Sequence, residues 1–368
     1  MKVNPTGYRT ALLHQGAPVP AVKGISKPMK PGGYADGSAD IAFALKRAGE
    51  TIVTPVSNPE PTADLEWSFP DTVSGIREAI GQGANVLWAN TVLHSKHAIV
   101  TLRDELAARD VRVFGPSPLS AEKYDDKEWT NRWLSTQEGL IGYFPKALLY
   151  GTSGSTSSLD AEVDDFPLPA VVKPIRGRGS HGVVRVSSKE EMRAAIEASL
   201  KESDAVLIEQ YLSGEEITIT VMPPGTFSVV GKKTEHWALP VITRFDQING
   251  VAPWNGTVPV TANSRVVTSA EAASDLSYAA AQQRCEIVAR LVQATAPIRI
   301  DCRRDVEGGA FFLFDVNLKP NAGGAGRPGR ETQAALTTMS AAEIGWDWSE
   351  FAVNLLRTAR PVKELLAE

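Results

Sequence analysis

Between residues 9 and 116 short apolar runs alternate with segments of helical period, and after Pro116 and Pro118 that alternation stops. Ala11-Leu12-Leu13, Thr51-Ile52-Val53, Ala84 to Trp88 and Val111 to Phe114 read as strands. Between them, Ile41, Ala42, Leu45 and Ala48 recur at three and four, which predicts a helix capped by Ser38 and stopped by Gly49. Thr72–Gln82 and Ser95–Arg109 carry further helical patterns, whereas Lys23–Gly37 has no period and reads as loop. Parallel neighbours need a crossover between them, so this order predicts a small parallel sheet covered by helices over residues 1–118.

The second regime is different. A charged helical stretch, Ala121–Glu138, leads to a strand at Ala147–Tyr150 and then to the Gly/Ser-rich Gly151–Asp160. Strand patterns dominate from Ala170: Ala170–Lys173, Gly182–Val186, Ala205–Ile208, Ile217–Val221, Ile298–Asp301 and Phe311–Val316. Helices at Ser188–Leu200 and Asp275–Gln293 interrupt them. This predicts an α+β region with antiparallel pairing, divided into a central lobe, 119–205, and a C-terminal lobe, 206–368.

Composition removes several classes of function. The chain has 368 residues and a formal net charge of -5, with Lys and Arg scattered, so it lacks the basic surface on which nucleic-acid binding depends. No run approaches the roughly 18 uncharged apolar residues that span a bilayer, and Pro5 and Arg9 interrupt any leader-like start. Two cysteines, Cys285 and Cys302, cannot build a disulfide framework; a reducing cytoplasm and buried structural thiols are the expectation. His94 and His97 have no third ligand at metal spacing, and a capping or exposed role is expected.

Gly177-Arg178-Gly179-Ser180-His181-Gly182 satisfies G-x-G-x-x-G, but a dinucleotide site needs a helix after the glycines, and Val183–Val186 is a strand pattern. A nicotinamide oxidoreductase is disfavoured on that ground. Two readings stay open: a plain hairpin turn, or a glycine-rich loop whose N–H groups cradle an anion beside Lys173.

Three ordered segments carry a resemblance. They are Val171-Val172-Lys173-Pro174 with its glycine loop; Ile208-Glu209-Gln210-Tyr211-Leu212 through Glu216-Ile217; and Ile298-Arg299-Ile300-Asp301 followed by Phe314-Asp315-Val316-Asn317. Together, over residues 119–325, they resemble the ATP-grasp superfamily and its D-alanine–D-alanine ligase-like branch. The resemblance implies an α/β domain preceding two antiparallel lobes that hold ATP between them. By position, Lys127 and Lys173 resemble lysines that contact phosphates, and Gly179-Ser180 the loop that closes over them. Glu209 resembles the carboxylate near the adenine amine, Gln210, Tyr211 and Leu212 the hinge at the base edge, and Glu216 the ribose carboxylate. Solvated positions, for Lys127 in a charge run and for the two glutamates beside a turn, are the alternatives.

Asp301 ends one strand, and Asp315 and Asn317, two apart on the next, share a face. Such an oxygen set suits Mg²⁺, and inward polar groups among phenylalanines are costly unless they bind something. Asp315 stands where the family usually has Glu. The implied reaction joins a small-molecule carboxylate to an amine: the carboxylate takes the γ-phosphoryl group of ATP, and the amine displaces phosphate. Phosphoryl transfer asks the protein for positioning and charge neutralisation. Arg299 resembles the arginine that stabilises the tetrahedral intermediate, or else pairs with a neighbouring carboxylate. Arg299, Lys173 and Ser180 are thus the expected catalytic residues.

The chain also departs from the family. The segment expected to close the site, Asp246–Asn263, lacks a lysine, which leaves Lys232, Lys233 or Arg244 as substitutes. No acidic motif stands near residue 15, and Lys319–Arg327 is glycine-rich with extra positive charge, so a larger or anionic acid is expected. A catalytically inactive nucleotide-binding regulatory protein is the alternative function, and a homodimer is compatible with either.

Overall fold

Strand Arg9–His14 is the centre of the first sheet: it pairs in parallel with Thr51–Val53, Ser68–Pro70 and Val86–Ala89, and Val86–Ala89 pairs with Arg112–Phe114. These contacts come from a computed structural model that describes residues 5–21, 29–151, 156–176, 182–251 and 260–367. Ala11, Leu12 and Leu13 are fully buried, as a parallel strand covered on both faces requires. Helix Ala35–Arg47 lays Ile41, Ala42 and Leu45 on the sheet.

The helix starts earlier than expected, inside the segment read as loop, and Ser38 is not its cap. Ser38 is buried, with its hydroxyl 3.1 Å from the Leu13 carbonyl and 3.0 Å from the Tyr34 carbonyl. The end of the strand needs a donor there, and that demand outweighs local capping preference. Gly33 (φ 56°) closes the entry to the helix against Gln15, whose carbonyl oxygen would lie 2.1 Å from any added Cβ.

Two further helices also divide. Ser95–Arg109 becomes Ala98–Thr101, capped by the His97 ring, and Arg103–Ala108, with Leu102 buried at the break. Ala121–Glu138 becomes Pro118–Lys123 and Lys127–Leu134, because Asp126 accepts from the Trp129 N–H at 3.0 Å and restarts the helix as its cap.

The central lobe is a four-stranded antiparallel sheet in the order Ala147–Gly151, Ala205–Gln210, Ala170–Pro174, Val184–Val186. Its outer face packs Val172, Val206 and Ile208 against Met192 and Ile196 of helix Lys189–Ser199. The C-terminal lobe orders Ser264–Val266, Ile242–Arg244, Glu216–Met222, Ile298–Arg304 and Phe311–Asn317, again antiparallel, over helix Ser277–Leu291. Cys285 and Cys302 meet in that core as free buried thiols, 3.8 Å apart at sulfur.

Both expected lobe boundaries shift. Strand Ala205–Gln210 belongs to the central sheet, so a cut after residue 205 would sever it. The chain end returns to the first domain: Arg360–Pro361 pairs antiparallel with Arg112–Val113, and Val362, Leu365 and Leu366 enter the core of Leu13, Phe69 and Leu106. Burial of those apolar side chains decides this, since the N-terminal sheet otherwise exposes an edge and an apolar face. Leu365→Ala is expected to destabilise the protein by about 2–5 kcal/mol, read as a lower urea midpoint.

Candidate active site

The inner face of the C-terminal sheet is organised in rows that run across the strands. Opposed residues of an antiparallel pair share a face, so Arg303, Glu216 and Arg244 form one row and Asp315, Asp301 and Thr218 the next. Asn317, Arg299 and Thr220 form the third. Alternate residues Ile217, Ile219, Ile300 and Cys302 point the other way, into the core. A β-bulge between Asp301 and Cys302 lets Phe314 and Asp315 both leave the core face, while Leu313 and Val316 stay buried.

Every charge expected at the site has a partner. Arg299 grips both oxygens of Asp301 at 3.0 and 3.1 Å, and Thr218 donates to Asp301 at 2.5 Å. Lys127 is bonded to Asp315. Lys173 pairs with Glu209 at 2.6 Å and donates to the Phe314 carbonyl at 3.3 Å, which ties the central lobe to the bulge. Asn131 reaches the same carbonyl at 3.1 Å and Glu209 at 3.4 Å. Glu216 receives Arg244 at 3.3 Å, Gln247 at 2.6 Å and Arg303 at 3.7 Å.

These pairs set the protonation states. Burial opposes charge on both Lys127 and Asp315, yet their mutual attraction prevails: Lys127 is held above its ordinary value and Asp315 below it. Arg299 is raised against burial by Asp301. For Glu216 burial wins over the pull of Arg244 and pushes the carboxyl up.

The hinge is more rigid than the sequence implies. Gln210 and Tyr211 donate their N–H groups to the carbonyls of Lys146 and Pro169, at 2.8 and 3.2 Å, so those two donors are not available to a base edge. The Tyr211 ring lies between Arg185 (4.6 Å) and Arg303 (4.8 Å), and Arg303 donates to its hydroxyl at 2.9 Å. A cavity of about 250 Å³ lined by Asn131, Phe144, Leu149, Leu207 and Glu209 adjoins this hinge. Leu212 is buried.

Sequence reasoning missed Arg303, Arg185, Asn131 and Thr218. The period of two that selected Arg299 and Asp301 extends to Arg303, so that signal was present. Asn131 has no local signal. Gly179, Ser180 and Trp254 lie outside the described residues, as does the middle of Asp246–Asn263, residues 252–259. Of the substitutes for a lid lysine, Lys232 and Lys233 sit on a separate hairpin, Lys233 against Trp237, while Arg244 faces the site. Arg244 also keeps one buried nitrogen, Nε, without a partner among the described residues. Arg327 and Arg330 do not add free positive charge: both are paired with Asp40. Gln15 is buried and donates to the Ala17 carbonyl at 3.0 Å.

Residues 151–357, more than half of the chain, match the family model described as "D-ala D-ala ligase C-terminus". The chain belongs to the D-alanine–D-alanine ligase family of ATP-grasp enzymes. The D-alanine–D-alanine ligase of Polaromonas naphthalenivorans is 26% identical over 260 residues, 70% of this chain and 73% of that protein. That of Mycobacterium ulcerans is 37% identical over 204 residues, 50% of this chain and 53% of its own. The fold agrees: the D-alanine–D-alanine ligase of Bacillus anthracis superimposes with a TM-score of 0.61 at 19% identity, covering 95% of this chain and 97% of that one. The VanG D-Ala:D-Ser ligase of Enterococcus faecalis gives 0.63 at 15% identity, covering 95% and 99%. The chain is therefore an ADP-forming ATP-grasp ligase that forms an amide bond. Among the described residues no helix is long and apolar enough to cross a membrane.

The raised Glu216 gives a pH prediction. A carboxyl with a raised folded value adds stability that is complete below the unfolded value near 4.3 and is lost as pH rises through the raised one. Its charged form, the stronger hydrogen-bond acceptor and the one the expected ribose contact needs, is lost as pH falls through the same window. Affinity for an ATP analogue is expected to fall there, and Glu216→Gln is expected to bind more weakly at neutral pH with a flat profile in calorimetry. Lys127 and Asp315 are shifted outward, away from neutrality, and contribute no change between about pH 5 and 9.

Proposed function

We propose that this ligase binds Mg²⁺-ATP along the three rows and joins an amino acid to a carboxylate at the far row. The observation that carries the reading is the facing of Asp301 and Asp315 across one strand pair, with Asn317 two residues on and Lys127, Lys173 and Arg299 directed at the carboxylates around them. Buried opposite charges of this kind are costly to assemble unless they serve a ligand that takes both signs. Nucleotide phosphates would draw on the lysines, and a hard cation on the freed carboxylates.

The donor set fits Mg²⁺: two carboxylates and an amide oxygen, all hard, on adjacent strands. Asn317 Oδ1 already accepts from the Lys319 N–H at 3.0 Å and keeps a second lone pair. Asp301, Asp315 and Asn317 would hold the cation, which would supply positive charge against the negative charge of the phosphates. The nucleotide fits as well. Its ribose would meet Glu216 in the first row, near the hinge at Gln210–Leu212, and the unpartnered Arg244 nitrogen offers a donor beside it.

The protein's own part is to orient and to shield. Lys127 and Lys173 hold the phosphates; the carboxylate substrate, lying beyond them, attacks the γ-phosphorus, the bond to the β,γ-bridging oxygen breaks, ADP is the leaving group, and an acyl phosphate results. Arg299 stands in the third row, where negative charge builds on the carbonyl oxygen as the amine adds, and phosphate then leaves. Gly179 and Ser180 retain the role of a loop over the phosphates. Because Arg327 and Arg330 are internally balanced, the expectation of an anionic acid rests no longer on them. An inactive nucleotide-binding module has no observation in its favour, since a pure binder needs no facing carboxylate pair.

Asp315→Asn is expected to fold with a lowered melting temperature, because Lys127 loses its charge partner, and to abolish ADP release across a panel of amino acids and small acids with Mg²⁺; a fully active variant would overturn the metal assignment. Lys173→Ala should weaken ATP more than adenosine in parallel titrations, and equal losses would contradict its placement at the phosphates.

A further inference from the structure

The glycine-rich loop after Asn317 does not end at the site; it ends inside the first domain. Arg327 is 2% exposed, and all its nitrogens are engaged there: Nε with Asp40 at 2.6 Å, Nη1 with the Pro61 carbonyl at 2.8 Å, Nη2 with Asp64 at 2.7 Å and the Asp36 carbonyl at 3.3 Å. Arg330 Nε spans both oxygens of the same Asp40 at 2.9 and 2.7 Å, and its Nη2 reaches Asp36 at 3.3 Å. Asp40 is itself 2% exposed, and burial pushes its carboxyl up against the pull of the two arginines. A planar fork with several fixed donors suits such a junction, and lysine cannot reproduce it.

The rest of the loop is pinned between this anchor and the site. Thr337 donates to the Asn321 carbonyl at 2.7 Å and Thr338 to that of Gly323 at 3.2 Å. Gly324 has no room for a side chain, since a Cβ would stand 2.6 Å from the Trp348 ring. Lys319 lies over the ring of Tyr34, 4.9 Å away, directly before the helix that carries Asp36 and Asp40. The loop thus runs from the Arg299–Asn317 row straight to the first domain.

We infer that Arg327 and Arg330, clamped on Asp40, are positioning residues of the ligase: they fix loop 318–326 and the first domain as one wall of the acid and amine end of the cleft. The nucleotide end does not depend on them. This rests on the ligase reading above, so the test includes a readout that needs no turnover.

Arg327→Met and the pair Arg327→Met/Asp40→Asn are compared with the parent. The single variant leaves Asp40 short of a partner and is expected to melt several degrees lower; the pair, which removes the uncompensated charge and keeps an acceptor for Arg330, is expected to regain most of that loss. In the pair, affinity for a non-hydrolysable ATP analogue should stay within about twofold, while KM for acid or amine stays raised by about tenfold or more. Amide exchange across Leu318–Gly326 should remain faster than in the parent. If KM and exchange recover together with the melting temperature, or if the nucleotide weakens as much as the acid and amine, the clamp is only structural and the inference fails. If the parent releases no ADP with any acid and amine, the ligase reading fails, and the exchange result still decides whether the clamp orders the loop.

Discussion

Opposite charges buried across a cleft hold this protein's working parts in register. Lys127 lies on the helix that follows the first domain, Lys173 on the central sheet, and Asp315 on the C-terminal sheet. The Lys127–Asp315 pair and the bond from Lys173 to the Phe314 carbonyl therefore join three parts of the chain, while Lys173–Glu209 links two neighbouring strands of the central sheet. Lys173 and Glu209 are buried, and removing either leaves a charge uncompensated, at a cost of about 3–5 kcal/mol; Lys127 and Asp315 are half-buried, and the loss there is smaller. The same strength makes the arrangement exchangeable, because phosphates and a cation can replace the internal partners sign for sign. Under the proposed function, stability without nucleotide and binding of nucleotide would draw on the same side chains.

Backbone geometry makes that arrangement possible. A regular strand would alternate Leu313, Phe314, Asp315 and Val316 between core and cleft, and one of the polar or apolar groups would face the wrong side. The bulge at Asp301/Cys302 inserts one residue, so that Leu313 and Val316 both stay in the core and Asp315 still faces Asp301. The price of an unpaired ladder position is offset by the Phe314 carbonyl, which accepts from both Lys173 and Asn131. An irregularity in the sheet thus becomes the contact point between the lobes.

Much of the site was legible from local pattern. Period two placed Arg299 with Asp301 and Asp315 with Asn317, and the antiparallel register brings those pairs opposite one another. Ser188 and Thr72 cap helices at the starts that the pattern gives, whereas the cap at Asp126 divides a stretch read as one helix. Ser38 and Leu102 were misread because their burial answers to the sheet beneath them and not to their neighbours in sequence. The C-terminal return was equally invisible, since Arg360–Pro361 is too short a strand to signal itself.

Sequence alone determined which residues can carry the chemistry: short polar side chains at alternate positions in otherwise apolar strands, a glycine loop after Lys173, and the alternation that demands a parallel first domain. Only tertiary structure decided which charge meets which. Arg327 reads as free positive charge near a substrate, yet Asp40 and Asp64, 287 and 263 residues away, hold it between them. Lys127 reads either as a phosphate lysine or as part of a solvated run, and neither reading names its partner, Asp315, 188 residues on. The reason is physical. Periodicity is a property of neighbours along the chain, whereas desolvation obliges every buried charge to find an opposite one wherever the fold supplies it.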